Sequence, residues 1–336
     1  MASPFTWRPD WLALHTEEAI DPALPIVDPH HHLWEAPTMQ RYVLDDLRED
    51  TGAGHNVVAT LFIDCMWDYR RDGPRELRQL GETERAAAEA RLSATTPGAR
   101  IGGIVSWVDM TLGAAAGPLL DAHLAAGDGL FRGIRHATAL DDDPAVRPSH
   151  TTPTPGLMGT DEFRAGLREL AGRGLSFDAW AYHPQIAEVT AMARALPELT
   201  IVLDHLGGPL GIGRYTGHRA EIMAQWRLDI AELATCPNVN VKVGGIGMIT
   251  YGMGYEDRAT PPSSDDLVTD WGGPITYAIE QFGAERCMFE SNFPVDKESC
   301  SYVVLWNAFK KIAAGASDAE RAALFHDTAS RVYRVS

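Results

Sequence analysis

Short runs of apolar and often β-branched residues alternate along the chain with longer amphipathic stretches. The runs fall at 24–28, 57–64, 100–108, 129–136, 174–182, 199–207, 238–245 and 286–294. The amphipathic stretches carry apolar residues at helical spacing and fall at 43–51, 75–94, 112–126, 161–172, 185–196, 218–235, 265–282 and 303–314. Near-continuous apolar strands that alternate with helices predict a parallel sheet covered by helices.

Eight strand–helix units in one chain predict an α/β fold, a (β/α)8 or TIM barrel that forms a single domain over 24–336. Residues 1–23 precede the first strand and are predicted to be an N-terminal extension that packs on the barrel. An open, doubly wound sheet is the alternative. No GxGxxG motif follows the first strand, which argues against a dinucleotide-binding version of that alternative.

Two long irregular segments, 137–160 and 245–264, each follow a predicted strand. In a barrel they would both lie at the carboxyl ends of the strands, where TIM-barrel enzymes carry their active sites. Long loops in a compact domain are usually functional, so we expect both segments to border a pocket.

The composition is that of a globular protein, with 45% hydrophobic and 22% charged residues among 336. The formal net charge of -17 disfavours binding to nucleic acid or to an anionic membrane, because such a surface repels phosphate groups. No apolar run approaches the ~18 residues that span a bilayer, and the N-terminus lacks a signal-peptide pattern. We therefore expect a cytoplasmic protein with a small-molecule substrate, and association with further copies of the chain stays open.

Polar side chains collect where the predicted strands end. In a barrel these ends converge, so residues far apart in sequence face one pocket. A lone histidine at such a position is more often a packed rim residue than a ligand, and a lysine in an apolar strand is costly unless it is paired. Their coincidence favours an active site. The residues concerned are His30, His32, Arg135, His136, His183, Gln185, Asp204, His205, Lys242, Glu290, Asn292 and Asp296.

The first strand ends in "VDPHHHLW". Because strand side chains alternate between faces, Asp28, His30 and His32 are predicted to share one face and His31 to lie on the other. Two imidazoles one step apart on a face can bind one metal ion, and imidazole suits zinc. A third ligand or a general base could come from His183 or His205.

Taken together, the motifs at these strand ends resemble the amidohydrolase superfamily, in the amidohydrolase-related branch that includes sugar-lactone hydrolases and 2-pyrone-4,6-dicarboxylate lactonase. "VDPHHHLW" fits the family's Asp-x-His-x-His pattern on the first strand, and "FRGIRH" resembles its arginine motif on the fourth. "IVLDHLGGP", "NVNVKVGG" and "RCMFESNFPVD" match the sixth, seventh and eighth strands. The resemblance extends from about residue 24 to the C-terminus.

The resemblance implies a distorted (β/α)8 barrel and hydrolysis of an ester, lactone or amide. Many members bind a divalent metal ion, often zinc, and use an aspartate on the eighth strand to accept the proton of water. By this resemblance His30 and His32 would hold the metal, and His205 and Lys242 would lie in the pocket. Some lactonases of this branch work without a metal, and other relatives decarboxylate aromatic acids.

The eighth strand departs from the family pattern, because Asn292 stands where the resemblance implies the aspartate. An amide cannot accept a proton from water at neutral pH and is a weak metal ligand. Two carboxylates could compensate. Glu290 lies deeper on the same face and could support His30 or His32 from behind, and Asp296 lies in the loop beyond the strand.

The fifth strand leaves its pocket residue open. His183 is the preferred third metal ligand and Gln185 is the alternative, since Pro184 makes the alternation of faces uncertain beyond this point. Trp34 follows the histidine motif, and Tyr182 precedes His183. Both are further candidates for contact with the substrate.

The leading hypothesis is hydrolysis of a small lactone or ester that carries a carboxylate. Arg135 and Lys242 would bind that carboxylate or polarise the carbonyl group, with His136 beside them. Asp296 or His205 would take the proton. The alternatives are a metal-dependent, non-oxidative decarboxylase, with Asp296 as proton donor, an amide hydrolase, and a ligand-binding protein that has lost its activity.

Overall fold

Eight parallel strands form a barrel in the computed structural model, which describes residues 6–36 and 39–335. Each strand pairs with its neighbour in sequence, which confirms the barrel and rules out the doubly wound sheet, whose strand order reverses. The barrel is closed where the backbone N–H of His32 donates to the carbonyl oxygen of Phe293 at 2.8 Å. The strands are β1 (Pro25–His31), β2 (Asn56–Ile63), β3 (Arg100–Ser106), β4 (Phe131–Ile134), β5 (Ser176–Ala179), β6 (Thr200–Leu203), β7 (Val239–Lys242) and β8 (Cys287–Met288).

Helices surround the barrel, and several begin at the polar residues that the sequence provides. Thr160 accepts a hydrogen bond from the backbone of Phe163, and Ser263 forms a capping box with Asp266. None of the described helices is both long and apolar enough to cross a membrane. The helices are α1 (Pro9–Leu12), α2 (Leu44–Thr51), α3 (Leu80–Thr95), α4 (Gly117–Ala126), α5 (Asp161–Ala171), α6 (Ile186–Ala195), α7 (Arg219–Ala234), α8 (Ser264–Phe282), α9 (Tyr302–Ile312), α10 (Asp318–Ala322) and α11 (Thr328–Tyr333).

The described buried apolar residues form three clusters, and the two largest make up the core of the barrel. The larger lies between the sheet and the helices and includes the fully buried tryptophans Trp226, Trp271 and Trp306. The smaller lies inside the barrel, where strand residues pack against Val332 and Tyr333 of α11. The C-terminal helix therefore packs against the apolar interior of the barrel.

A bulge in β1 changes which residues share a face. Asp28 pairs with Thr60 and His31 pairs with Phe62, so three steps on β1 lie opposite two steps on β2. Asp28 and His31 therefore share a face, and the prediction that Asp28 lies on the face of His30 was wrong. The Asp28 carboxylate instead accepts hydrogen bonds from the Tyr302 hydroxyl and the Ser291 backbone, each at 2.9 Å.

The segment that precedes β1 contacts helices α8 and α9 from the C-terminal part of the chain. Glu17 accepts hydrogen bonds from the Ser264 hydroxyl at 2.6 Å and from the Asn307 amide at 2.9 Å. The Trp11 indole donates to the backbone of Arg258. The division into 1–23 and 24–336 stays a prediction, and its outermost residues, 1–5 and 336, lie outside the described part of the chain.

Candidate active site

A cavity of about 200 Å³ lies at the carboxyl ends of the strands. Both irregular segments, 137–160 and 245–264, contribute to its lining, as predicted. The first supplies Arg147, Ser149 and His150, and the second supplies Met248 and Thr250. The residues proposed from the sequence that line the cavity are His32, Trp34, Arg135, Tyr182, His205 and Asn292.

One buried carboxylate contacts two imidazoles. Glu290 places its Oε2 at 2.8 Å from Nδ1 of His30 and its Oε1 at 2.8 Å from Nδ1 of His205. Because a carboxylate only accepts, and because Arg135 donates toward Nε2 of His30, we assign the ring proton of both histidines to Nδ1. The 3.1 Å approach of Lys242 Nζ to Nδ1 of His30 is then a contact between two donors and not a hydrogen bond. The Nε2 atom of each histidine then carries a lone pair, and the His205 side chain lines the cavity.

The Nε2 atoms of His30 and His32 lie 3.2 Å apart. His32 donates from Nδ1 to the backbone oxygen of Ile63 at 2.8 Å, so its Nε2 also carries a lone pair. Burial is the main cause that lowers the pKa of both imidazoles well below the ordinary value, which keeps them neutral. Two facing lone pairs at this distance favour a cation or a donor close to both, and Arg135 offers a donor 3.3 Å from Nε2 of His30.

The same pair matches the ligand spacing of zinc. Two nitrogens bound at 2.0–2.1 Å in a tetrahedral site are separated by ~3.3 Å, close to the 3.2 Å observed between His30 and His32. A second group of ligand atoms, from His30, Asp204 and His205, lies within 4.8 Å of one another. The donor set around His30 therefore fits a divalent metal ion.

The structure does not bring His183 to this group. Its Nδ1 accepts a hydrogen bond from the backbone of Leu210 at 3.2 Å, and its ring packs against Tyr215. His183 is absent from the cavity lining because β5 ends at Ala179 and the chain has turned before it is reached. The prediction of His183 as third ligand is corrected accordingly.

Lys242 is fully buried inside the barrel and does not reach the cavity. Its Nζ lies 2.7 Å from Asp178, 2.9 Å from Asp204 and 3.1 Å from Nδ1 of His30. Burial alone would lower the pKa of Lys242, but the neighbouring carboxylates outweigh it and raise the pKa above the ordinary value. In this position the lysine neutralises buried carboxylates, and its predicted contact with a substrate stays a prediction.

Asn292 lines the cavity, and Asp296 lies behind it. The Asn292 amide donates to Oδ1 of Asp296 at 2.8 Å, which leaves the amide oxygen available to the cavity. Oδ2 of Asp296 accepts from the backbone of Gly247 at 2.8 Å. Asp296 is fully buried and absent from the lining, so its predicted role as proton acceptor or donor is corrected to one of positioning Asn292. Burial raises the pKa of Asp296 well above the ordinary range.

Asn292 also meets a backbone requirement. Its φ of 54° lies in the left-handed region, where asparagine and aspartate are the best tolerated residues after glycine. The residue after Ser291 is therefore restricted by the turn as well as by its place in the cavity.

Arg135 extends from the end of β4 into the floor of the cavity. Its guanidinium lies 3.7 Å from carboxylate oxygens of both Asp64 and Asp204, and it also donates to the backbone oxygen of Asp64. Nε2 of His150 lies 3.4 Å from the same oxygen of Asp64. The arginine is thus held by buried acids while it remains exposed to the cavity.

The aromatic residues Trp34 and Tyr182 lie in the cavity wall, as predicted. The Trp34 ring is stacked against His32, and the edge of Trp180 packs against His205 with ring centroids 4.7 Å apart. These contacts fix the planes of the two imidazoles that face the cavity.

His136 and Gln185 do not line the cavity, and their predicted contact with a substrate stays a prediction. His136 accepts a hydrogen bond from the backbone of Met110 at 3.2 Å, and burial lowers its pKa to about 4. Gln185 donates to the backbone of Thr138 and accepts from that of Leu140.

Several residues of the site were missed in the sequence. Asp64 ends the second apolar run, and Asp178 lies inside the fifth. Each is a charged residue in an apolar strand, which is the same signal that identified Lys242 as a candidate. Tyr333, whose hydroxyl donates to Asp178 at 2.7 Å, gave no such signal. Arg147 and His150 lie in an irregular segment and had no pattern to distinguish them.

A family model described as amidohydrolase matches residues 27–335. The chain belongs to the amidohydrolase family. This match confirms the resemblance that the strand-end motifs indicated. Together with a relative that is named a lactonase, described in the next paragraph, it identifies the protein as a hydrolase.

Relatives of this amidohydrolase extend over nearly its whole length. The uncharacterised protein y4mH of Sinorhizobium fredii is 32% identical over 334 residues, which cover 93% of this chain and 99% of that protein. An L-fucono-1,5-lactonase of Burkholderia multivorans is 28% identical over 319 residues, which cover 91% of this chain and 95% of that protein. A crystal structure of an amidohydrolase from Burkholderia multivorans with bound zinc has a TM-score of 0.71 at 23% identity, covers 93% of this chain and 99% of that one, and supports the fold.

Proposed function

We propose that this amidohydrolase opens a small lactone or ester by attack of water on the carbonyl carbon. The observation that carries the proposal is the pairing of His205 with Glu290. An imidazole whose Nδ1 is fixed by a buried carboxylate, and whose side chain lines a cavity, is the arrangement that activates water or a hydroxyl group in hydrolases.

In this mechanism His205 takes a proton from water at Nε2 as the water oxygen bonds to the carbonyl carbon. The negative charge that develops on the carbonyl oxygen is stabilised by Arg135, which lines the floor of the cavity. When the bond to the ring oxygen breaks, His205 returns the proton to that oxygen, and the product is a hydroxy acid. Glu290 keeps the ring of His205 in one orientation throughout.

A divalent metal ion, with zinc preferred, fits this site. His30 and His32 would hold it, with Asp204 or the amide oxygen of Asn292 nearby. The buried carboxylates of Asp204 and Glu290 lie 3.9 and 2.8 Å from Nδ1 of His30, and their negative charge would favour a dication in this part of the site. When bound, such an ion would lower the pKa of water toward ~7 and polarise the carbonyl group. Operation without a metal stays open, since Arg135 can donate to the same lone pair of His30.

The charge of the cavity supports an acidic substrate or product. Five basic side chains line it, and no carboxylate does so in the described part of the chain. Arg135 and Arg147 carry a permanent charge, and in a protein with a net charge of -17 they suit the carboxylate that lactone hydrolysis releases. The decarboxylase alternative is weakened, because Asp296, its predicted proton donor, does not line the cavity.

The test is hydrolysis of a panel of lactones, esters and amides by protein whose zinc content has been measured. We expect acid release from lactones, and loss of it in His205→Asn but not in the matched surface variant His218→Asn. Turnover of amides with none of lactones or esters would contradict the proposal. Activity that survives complete removal of metal would retain the hydrolase and reject the zinc requirement.

A further inference from the structure

The cavity has a basic floor and an apolar wall. Above the histidines its lining includes Trp34, Met39, Met66, Trp180, Met248 and Val295. Methionine and tryptophan side chains offer large, polarisable surfaces and little hydrogen bonding. This wall is suited to hydrocarbon or to aromatic rings.

The polar atoms of the wall are already used by the protein. The Tyr182 hydroxyl donates to the backbone oxygen of Arg147 at 2.7 Å, and the Trp34 indole donates to that of Gln40 at 2.5 Å. The Ser149 hydroxyl donates to the backbone of Ala137 at 3.2 Å. The polar atoms of the lining that are buried without a hydrogen-bond partner in the described part of the chain include the hydroxyl of Thr250 and Nε2 of His150, which lies 3.4 Å from Asp64.

Hydroxyl groups of a polyhydroxylated substrate that lie against the apolar wall would lose their hydrogen bonds to water without replacing them. Each ring hydroxyl needs an acceptor or donor when it leaves water, and sites that recognise sugars supply these from carboxylates and amides. No carboxylate lines this cavity in the described residues. Besides the histidines and arginines of its lining, the polar groups that remain for a substrate are the amide oxygen of Asn292 and the hydroxyl of Thr250.

We propose that the substrate is a lactone with an alkyl or aromatic body and few hydroxyl groups, and this inference rests on the lactone hydrolysis proposed above. The lactone group would lie at the basic floor beside His205 and Arg135. The body would pack between Trp34, Trp180 and Met248. The geometry thus points to a substrate class different from the sugar lactone in the name of one relative.

The experiment compares lactones that share one six-membered ring. One carries a propyl or phenyl substituent and the other carries three ring hydroxyls, and each is tested with and without a ring carboxylate. We expect kcat/KM for the apolar compound to exceed that of its hydroxylated counterpart by about 100-fold. Equal rates, or a preference for the hydroxylated ring, would overturn the inference and leave lactone hydrolysis standing. Failure of all four compounds while amides are cleaved would reject both.

A pair of methionine variants tests the wall directly. Met248 lines the cavity, whereas Met223 on α7 is partly buried against the same core and does not line it. Met248→Gln should reduce the preference for the apolar ring by about tenfold, and Met223→Gln should leave it unchanged. An unchanged preference in a folded Met248→Gln protein would overturn the contact. The comparison of substrates with the unaltered enzyme decides the inference even if that variant does not fold.

Discussion

Glu290 holds His205 at two points. One oxygen of its carboxylate lies 2.8 Å from Nδ1 of the ring and accepts a hydrogen bond from the backbone N–H of the same residue at 3.1 Å. The other oxygen lies 2.8 Å from His30. A single buried acid on the eighth strand therefore orients both the proposed base and one of the proposed metal ligands.

Replacement of Glu290 by glutamine should uncouple these two histidines. A glutamine oxygen can accept from only one Nδ1, and its NH2 group would push the other ring into the wrong tautomer. We expect kcat to fall by about 10²–10⁴-fold, by analogy with loss of the orienting acid in catalytic triads, and zinc affinity to fall by about 10–100-fold.

Steady-state kinetics and a zinc competition titration measure the two effects of Glu290→Gln. The matched control is Glu280→Gln on the exposed face of α8, which should change neither quantity. A Glu290→Gln protein that folds and keeps full activity and zinc affinity would reject the orienting role.

We expect Lys242 to contribute to the stability of the folded protein, because it neutralises buried carboxylates. Lys242→Met would leave Asp178 and Asp204 buried without their cation, which costs about 3–5 kcal/mol in the free energy of unfolding. Tyr333→Phe removes only the hydroxyl that donates to Asp178 and should cost about 1–3 kcal/mol. Denaturant unfolding measures both losses.

The control for the lysine is Lys311→Met, which removes an exposed pair with Asp265 and should cost less than about 1 kcal/mol. Tyr333→Phe should leave KM unchanged, because neither Tyr333 nor its partner Asp178 lines the cavity. Equal stability losses for Lys242→Met and Lys311→Met would contradict the account of the buried network.

His123 should make the protein sensitive to mild acid. It is buried in α4, and burial lowers its pKa to about 4 from the ordinary value of 6.5. Between these two pH values the unfolded state binds a proton that the folded state does not. Stability is therefore lost as the pH falls below 6.5, by about 2 kcal/mol at pH 5 for this residue.

Unfolding measured at pH 7 and pH 5 checks this linkage. His123→Gln should lose about 2 kcal/mol less than the unaltered protein between the two pH values. His218→Gln, at an imidazole exposed to water, is the control and should retain the full loss. Identical losses in all three proteins would show that His123 does not contribute.

The barrel could be predicted because its strands are buried on both sides and its helices on one. That burial leaves eight apolar runs and the helical periodicity between them, both of which are local signals. The convergence of His32, Arg135, His205 and Asn292 followed from the same logic, since all stand at strand ends.

Predictions of side-chain position failed where the alternation of strand faces breaks down, and where two side chains pair across the interior of the barrel. The bulge in β1 places Asp28 on the opposite face of the strand from His30. Because β5 ends at Ala179, His183 lies outside the group of histidines around His30. The pairing of Lys242 with Asp178 depends on which side chains face each other across the interior, and no spacing in the sequence encodes that.

The measurement that tests the central claim most directly is kcat of His205→Asn beside that of Asp296→Asn on one lactone substrate. The account predicts that His205→Asn loses about 10²–10⁴-fold, because the base is removed, and that Asp296→Asn retains a larger kcat, because it acts only through Asn292. A His205→Asn enzyme within about tenfold of the unaltered protein, beside an Asp296→Asn enzyme that has lost its activity, would contradict the account and make Asp296 the base.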